Sequence, residues 1–334
     1  MATGTSVPSN YPNGFLGGVT IRGVPLTMSN PGKVVWVASS GAVPGPGATG
    51  SSDSNPGTYT KPFASLAGAL ASSQVQASRG DLIVLKPGHT ETITAAAGIV
   101  MSVAGITVVG LGAGSMRPTF TFTTANTATI TVTANNVGFS NCLFVGGFLN
   151  VATCFSIANA QVANDFAVDS CEFIDSSTIL NFVKCINIGT TSNIADGLQF
   201  TNNRVIGKAA TPAAGTTAVV TASTTDRAII KDNFVSHRVL LASTACLVAT
   251  GATNLTNTII KGNVTDRPNT TSNGELLSTS GTAFLGTIIA DNYCGTLSAN
   301  GLVAPVGTTA QFVNNYCMLI GAQDKSAALN PVAV

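Results

Sequence analysis

From residue 137 onward, the apolar and polar positions of the chain repeat. Seven ten-residue segments align without gaps: VGFSNCLFVG (137–146), FAVDSCEFID (166–175), LQFTNNRVIG (198–207), AIIKDNFVSH (228–237), TIIKGNVTDR (258–267), TIIADNYCGT (287–296) and AQFVNNYCML (310–319). Each places two short apolar runs around one shared position, occupied in turn by Cys142, Cys171, Asn203, Asn233, Asn263, Asn292 and Asn315. Successive members are 29, 32, 30, 30, 29 and 23 residues apart. A period of this size built from strand-like units predicts a solenoid or a propeller, and a propeller blade takes about 40–45 residues. A β-helix turn needs only three short strands and three corners, each strand pairing with its copy about 4.8 Å along the axis. The repeat therefore predicts an all-β fold, a right-handed parallel β-helix over residues 81–320.

In such a stack, equivalent side chains lie above one another. The Asn column is expected to hydrogen-bond from turn to turn as a structural ladder and to occupy a corner with left-handed backbone. Cys142 and Cys171 suit the same small, buried slot. Flanking apolar residues such as Ile229, Phe234 and Ile259 are expected to fill the lumen.

Upstream, residues 34–80 read as a capping unit. VVWVA (34–38) is a strand, and a Gly/Pro/Ser loop runs from Ser39 to about Lys61. Pro62 is then expected to open a helix over PFASLAGALASSQ, since proline suits a first helical turn. Phe63, Leu66, Ala67 and Leu70 would share its apolar face. Residues 1–33 carry Pro, Gly and Asn at close intervals, which blocks any long helix or strand. They nevertheless hold Tyr11, Phe15, Leu16, Val19, Ile21, Val24 and Leu26, which call for burial. With Arg22, these are the candidate partner-binding residues of an extended N-terminal arm. Such an arm docks either on its own body or trimer, or on a foreign partner. Residues 321–334 read as a plain C-terminal tail.

Only 9% of the residues are charged, against about 25% in ordinary domains, so Thr, Ser and Asn supply the surface polarity. Those residues favour strands and turns over long helices. The net charge is +1 with no basic run, which argues against nucleic-acid binding. No apolar run reaches 18 residues, so no membrane span is expected. No secretory signal is expected either, because the first residues lack a basic and then an apolar region. The seven cysteines form no CxxC pair and sit among apolar neighbours, and they read as reduced, buried thiols of a chain made in a cytosol.

Candidate chemistry is sparse. The densest acidic group is Asp165, Asp169, Glu172 and Asp175. A catalytic reading would pair Asp175 with a carboxylate one turn later, such as Asp196. The reading preferred from sequence is a set of solvated corner residues, since no Arg or Lys stands evidently in register. Asp232, Gly262 and Asp291 share a column beside the Asn ladder. They read as turn residues, and the alternative is a cation site. His89 and His237 are the only histidines, too few for a triad or a metal centre, and His89 is expected to be a corner residue bonded to backbone. Gly110, Gly112 and Gly114 lack the helix and lysine of a phosphate loop. No catalytic residue, metal or cofactor is expected.

SSDSNPGTYTKPFASLAGAL (51–70), GDLIVLKPGHTETI (80–93) and GITVVGLGAG (105–114) together resemble the N-terminal part of pectin-lyase-like right-handed β-helix proteins. The resemblance spans about residues 50–320 and implies that the short helix caps the open end of the solenoid. The order of elements, a YPNGFLGGVTIRGVPL arm (11–26), then PGKVVWV (31–37), then the β-helix, resembles tailed-phage head-decoration (cement) proteins. That resemblance implies a non-enzymatic virion protein, made in the host cytoplasm and placed on the capsid surface. Its expected partners are its own copies, as a homotrimer, and the major capsid protein. The alternatives are a tailspike that binds or cleaves host polysaccharide, and a secreted surface adhesin. A tailspike usually goes with a longer chain and an elaborate C-terminal trimerisation region, whereas GAQDKSAALNPVAV follows the last repeat here.

Overall fold

A computed structural model of the chain describes residues 32–42, 50–208, 218–222, 224–236, 245–250, 255–266, 274–279, 284–296 and 310–319, with the short strands 19–21, 24–26 and 326–328. The body is a parallel β-helix. Two ten-stranded sheets and one seven-stranded sheet run along it, each built from strands one rung apart. A rung of the first sheet, such as Ile259–Lys261, turns a corner into the second sheet at Val264–Asp266. The third sheet includes Phe155–Ile157 and Lys184–Ile188.

The first sheet begins before residue 81. Val34–Val37 pairs in parallel with Leu82–Leu85 as its terminal strand. At the other end, Ser326–Ala328 pairs antiparallel with Tyr316–Leu319, so the expected tail contributes a strand across the last edge of the second sheet. Covering a terminal edge removes unpaired backbone groups that would otherwise recruit another chain.

The helix is shorter than its sequence pattern suggests and starts later. It spans Leu66–Ala71, with Ser65 as N-cap accepting the Gly68 N–H. Pro62 cannot open it, because Phe63 bridges Val37 as β-structure and exchanges hydrogen bonds with Trp36 and Ala38. Asp53 fixes the entry by accepting the N–H groups of Ala64 and Ser65, both at 2.9 Å, and Glu91 accepts the N–H of Leu66. Leu66, Ala69 and Leu70 are buried, whereas Ala67 faces out. The helix packs against Ile99–Met101 and Val34–Val37.

Asp81 ties this cap to the first full rung. It is buried and accepts the N–H groups of Lys33 and Gln76 and two donors of Arg79, each at 2.7 Å. Burial pushes its carboxyl pKa up, but the Arg79 guanidinium and those N–H groups more than offset this and hold it below the usual range. A lowered folded value means stability that is complete above the unfolded value of about 3.9 and is lost as pH falls through the folded one. Asp81→Asn is therefore expected to lower Tm at pH 7, and the gap to wild type should close below about pH 4. Thermal melts across that range check it.

The lumen is lined by in-register apolar columns. Phe120, Phe144 and Phe173 stack in the second sheet, with ring centroids 5.5 and 5.0 Å apart. Phe139, Val168, Phe200, Ile230, Ile260 and Ile289 line the first sheet. Ile229, Phe234 and Ile259 do not enter the lumen: Phe234 and Ile259 are exposed and Ile229 is half-buried, and their neighbours Ile230, Val235 and Ile260 point in instead. Both phases of these strands are apolar, as in Ile229 and Ile230 or Phe234 and Val235, so hydrophobicity alone does not choose the inward one. A left-handed residue stands just before each ladder position: Asn141, Ser170, Asn202, Asp232, Gly262, Asp291 and Asn314 all have φ between 50° and 66°. The ladder residues themselves are not left-handed. This extra corner residue interrupts the two-residue alternation, so inward positions on its two sides, such as Ile230 and Val235, are an odd number of residues apart.

The ladder is continuous. The N–H groups of Cys171, Asn203, Asn233, Asn263 and Asn292 each donate to the side-chain oxygen of the next Asn, at 2.9–3.2 Å. At the first step, the Cys142 N–H approaches Cys171 Sγ at 3.4 Å. Each amide nitrogen in turn donates to a strand carbonyl of the preceding rung, as Asn263 does to Ile230 at 2.9 Å. All five Asn side chains are buried.

A second ladder runs along another corner. Asn164 N–H donates to Asn135, Asp196 N–H to Asn164, and Asp226 N–H to Asp196, at 2.9–3.0 Å. Thr256 and Asn257 side chains close on the Asp226 carboxylate and hold its pKa below the usual range.

Cys142, Cys154, Cys171, Cys185 and Cys294 are buried and outside any disulfide. Burial pushes the thiols of Cys142, Cys154 and Cys185 well up, which suppresses the reactive thiolate. The side chains of Cys246 and Cys317 lie outside the described residues.

Candidate functional site

The candidate arm contacts fall largely beyond what the structure describes. Tyr11, Phe15, Leu16 and Arg22 lie outside the described residues. Val19–Ile21 and Val24–Leu26 form a two-stranded antiparallel hairpin in which Val19 pairs with Leu26 and Ile21 with Val24. This part of the arm thus carries two short paired strands.

The acidic group is engaged in structure, residue by residue. Asp165 occupies a left-handed corner, with φ of 56°. Asp169 accepts from Thr201, Asn202 and Ser170 at 2.6, 2.8 and 2.9 Å. Glu172 stands between two guanidinium groups, with Arg117 at 3.1 Å on one oxygen and Arg204 at 2.8 Å on the other. Arg204 is its in-register partner one rung on, so basic residues do stand in register with this cluster, contrary to the expectation from sequence. Arg204 holds the same place in its repeat as Glu172 does, one residue after the ladder position, so that contact was readable from the alignment, whereas Arg117 lies before the first aligned repeat.

Asp175 also departs from expectation. It is buried, not a solvated corner, and accepts the N–H groups of Phe182 at 3.2 Å and Lys208 at 2.9 Å. It sits at the end of Glu172–Asp175, where the inward phase of the strand takes it under the following loop. Asp196 is occupied separately, in the second ladder. Acid–base cleavage of a glycosidic bond uses two carboxyl groups that flank the bond, one protonating the leaving oxygen and the other acting at the anomeric carbon or on a water. Asp169, Glu172, Asp175 and Asp196 accept hydrogen bonds or ion pairs from their own rungs and the adjacent ones.

Asp232, Gly262 and Asp291 form the left-handed corner column. Their charges are met by lysines, Asp232 by Lys231 at 3.1 Å and Asp291 by Lys261 at 3.3 Å. Among the described residues, no group of three or more His, Cys, Asp or Glu side chains could hold a metal ion. His89 is fully buried. Its Nδ1 accepts the Ser39 N–H at 2.9 Å, and its Nε2 lies 3.3 Å from Glu91. It therefore joins the capping loop to the second sheet. Gly110 and Gly112 present carbonyls to the Asn141 amide, and only a three-residue 3-10 turn follows them.

The feature that sequence reasoning missed is on the outside. Beside the ladder corner, the second-sheet column changes character along the axis. Glu172 and Arg204 are followed in register by Phe234, Val264, Tyr293 and Tyr316. All four of these apolar and aromatic side chains are exposed, Tyr293 by 53%. Tyr293 and Tyr316 stack at 5.4 Å. On the other side of the same corner, Gln199 is followed by Ile229, Ile259 and Ile288. The signal was legible in the aligned repeats, one residue after the ladder position and four before it, but both columns were assigned to the lumen.

No protein-family model matches the chain, and no curated protein matches it. Among solved structures, it is similar to a rhamnogalacturonan lyase at 13% sequence identity. That alignment covers 85% of this chain and 87% of the lyase, with a TM-score of 0.38.

Proposed function

We propose that this chain is a structural virion protein of a tailed bacteriophage, a homo-oligomer that decorates and cements the capsid surface and is held to the major capsid protein by residues 1–33. One observation carries this reading: the densest carboxylate group bonds within and between its own rungs, while large exposed side chains collect in columns suited to association. A stack whose rungs are tied by backbone pairing and two side-chain ladders suits a load-bearing part. The arm order described from sequence supports attachment through the N-terminal segment.

A polysaccharide-binding tailspike is the second reading. The stacked, exposed Tyr293 and Tyr316 favour it, since they offer a flat apolar platform with polar rims. Quantitative mass spectrometry of purified particles separates the two. A copy number on the scale of the major capsid protein supports decoration. A handful of copies per particle places the protein in the tail and calls for a polysaccharide panel.

Deleting residues 1–30 is expected to leave the melting of the body unchanged and to abolish binding to particles that lack the protein. A truncated chain that fails to fold would assign the arm to the body instead.

A further inference from the structure

We infer that the ridge between the first and second sheets, over the last rungs, is the ring-closing interface of a cyclic oligomer, with the first-sheet flank of one copy packed on the second-sheet flank of the next. This rests on the self-association half of the proposed function and not on the capsid.

The argument starts from shape. The sheets enclose a lumen, so each corner is convex outward and its two flanks diverge. Here both flanks are apolar: Ile229, Ile259 and Ile288 on one, and Phe234, Val264, Tyr293 and Tyr316 on the other. A flat partner could lie on one flank only. A two-fold pairing of like flanks would also leave the other flank wet. In a ring, the ridge of every copy points towards the axis, and each flank meets the opposite flank of a neighbour, so both are covered. Columns that run along the solenoid match over several rungs only if the copies stand parallel, which cyclic symmetry requires.

Charge is consistent with this occupant. Identical ridges meet at the axis, where an uncompensated column of lysines would repel itself. Lys231 and Lys261 are instead paired to Asp232 and Asp291 within the copy. One rung earlier, the flank residue is the exposed Arg204, so the apolar run has a defined lower limit.

The size of the columns sets the scale of each contact. With about 200 Å² per aromatic side chain and less for Ile and Val, the exposed parts of these columns come to on the order of 500 Å². That lies near the upper end of the largest apolar patch on an ordinary monomer, about 300–600 Å². Interfaces are about 57% apolar, so the implied area is roughly 900 Å² per copy, which a ring divides between two contacts, roughly 450 Å² per partner at each. A standard stable interface takes about 800 Å² per partner, so one contact alone is weak and closure, which holds every copy at two contacts, is what stabilises the assembly.

The test uses the full chain. Ile259→Cys and Val264→Cys place thiols on opposite flanks of one rung. After mild oxidation, a mixture of the two single variants is expected to yield a disulfide between residue 259 of one copy and residue 264 of another. Each variant alone should give no crosslink above the wild-type background. Crosslinking within a single-variant sample would show like flanks meeting and overturn the proposal, as would no crosslink in the mixture. Sedimentation gives an independent measure. Wild type should run as an oligomer, and the Ile259→Glu/Tyr293→Glu double variant should fall to the 33.6 kDa of one chain with its β-sheet circular dichroism retained. A wild type that is monomeric overturns both this interface and the homo-oligomer, and leaves capsid attachment to the particle copy number. A folded double variant that stays oligomeric overturns this interface alone.

Discussion

Asn263→Leu is expected to lower stability by about 3 kcal/mol, although it replaces a polar side chain with an apolar one of similar size inside a buried slot. The Asn263 amide makes four bonds. Its oxygen accepts the N–H of Asn233 at 3.1 Å and the Asn233 amide at 2.9 Å. Its nitrogen donates to Ile230 and Asn292, both at 2.9 Å. Leucine removes all four and leaves the Asn233 N–H and the Ile230 carbonyl buried without these partners. Each such group costs about 1–3 kcal/mol, and the gain from burying leucine offsets part of that. In a stack stabilised by nearest neighbours, the loss is local first. Hydrogen exchange should speed up at the rungs of Asn233 and Asn292 before chemical denaturation reports the global change. Asn314→Gly is the matched control. It lies one residue before the ladder, is exposed, and has a φ of 50° that glycine adopts freely, so a change within about 0.5 kcal/mol is expected. Unchanged melting of Asn263→Leu would remove the ladder from any account of stability.

The ladder was legible because its residues recur at the same place in every repeat and only one side-chain type satisfies the slot from Asn203 onward. The second ladder was equally available. Asn135, Asn164, Asp196 and Asp226 each stand seven residues before a member of the first. It is harder to see because Asn gives way to Asp along it and because such residues usually mark isolated turns. A column of side-chain oxygens accepting N–H groups tolerates either type, since both present an acceptor at the same reach.

Where sequence reasoning failed, one cause recurs. Apolar character marks the lumen only where one phase of a strand is polar, and here both phases are apolar, as in Ile229 and Ile230, Phe234 and Val235, or Ile259 and Ile260, so inside and outside were reversed for Ile229, Phe234 and Ile259. The same reversal concealed the outer apolar columns, on which the proposed interface rests. Glu172 shows a second cause. Its partner Arg204 stands at the matching place of the next aligned repeat, but Arg117 lies 55 residues away and outside the repeats, and only the fold brings it to the same carboxylate. The helix shows a third. Its apolar spacing was real, but Phe63 gains a backbone bridge to Val37 by staying extended, and that tertiary pairing outweighs the preference of Pro62 for a helical start.

Phe144→Ala tests the inward phase directly and is expected to cost about 3–5 kcal/mol. The ring is fully buried and stacks between Phe120 and Phe173, with Phe155 edge-on at 5.0 Å and Phe139 at 5.9 Å. Removing it opens a cavity that four aromatic neighbours, each held in register by its own strand, cannot collapse to fill. Phe144→Leu should recover most of the loss, since aliphatic residues such as Val205 and Val235 fill the same column on later rungs. Phe234→Ala makes the comparison decisive. That ring stands one residue after a ladder position and points outward, so its truncation is expected to change the unfolding of the isolated chain by less than about 0.5 kcal/mol while weakening association. Denaturant unfolding of the three variants, at concentrations where the chain is dissociated, gives the answer. Equal costs for Phe144→Ala and Phe234→Ala would mean that the assigned inside and outside of the second sheet are wrong, and the apolar ridge would go with them.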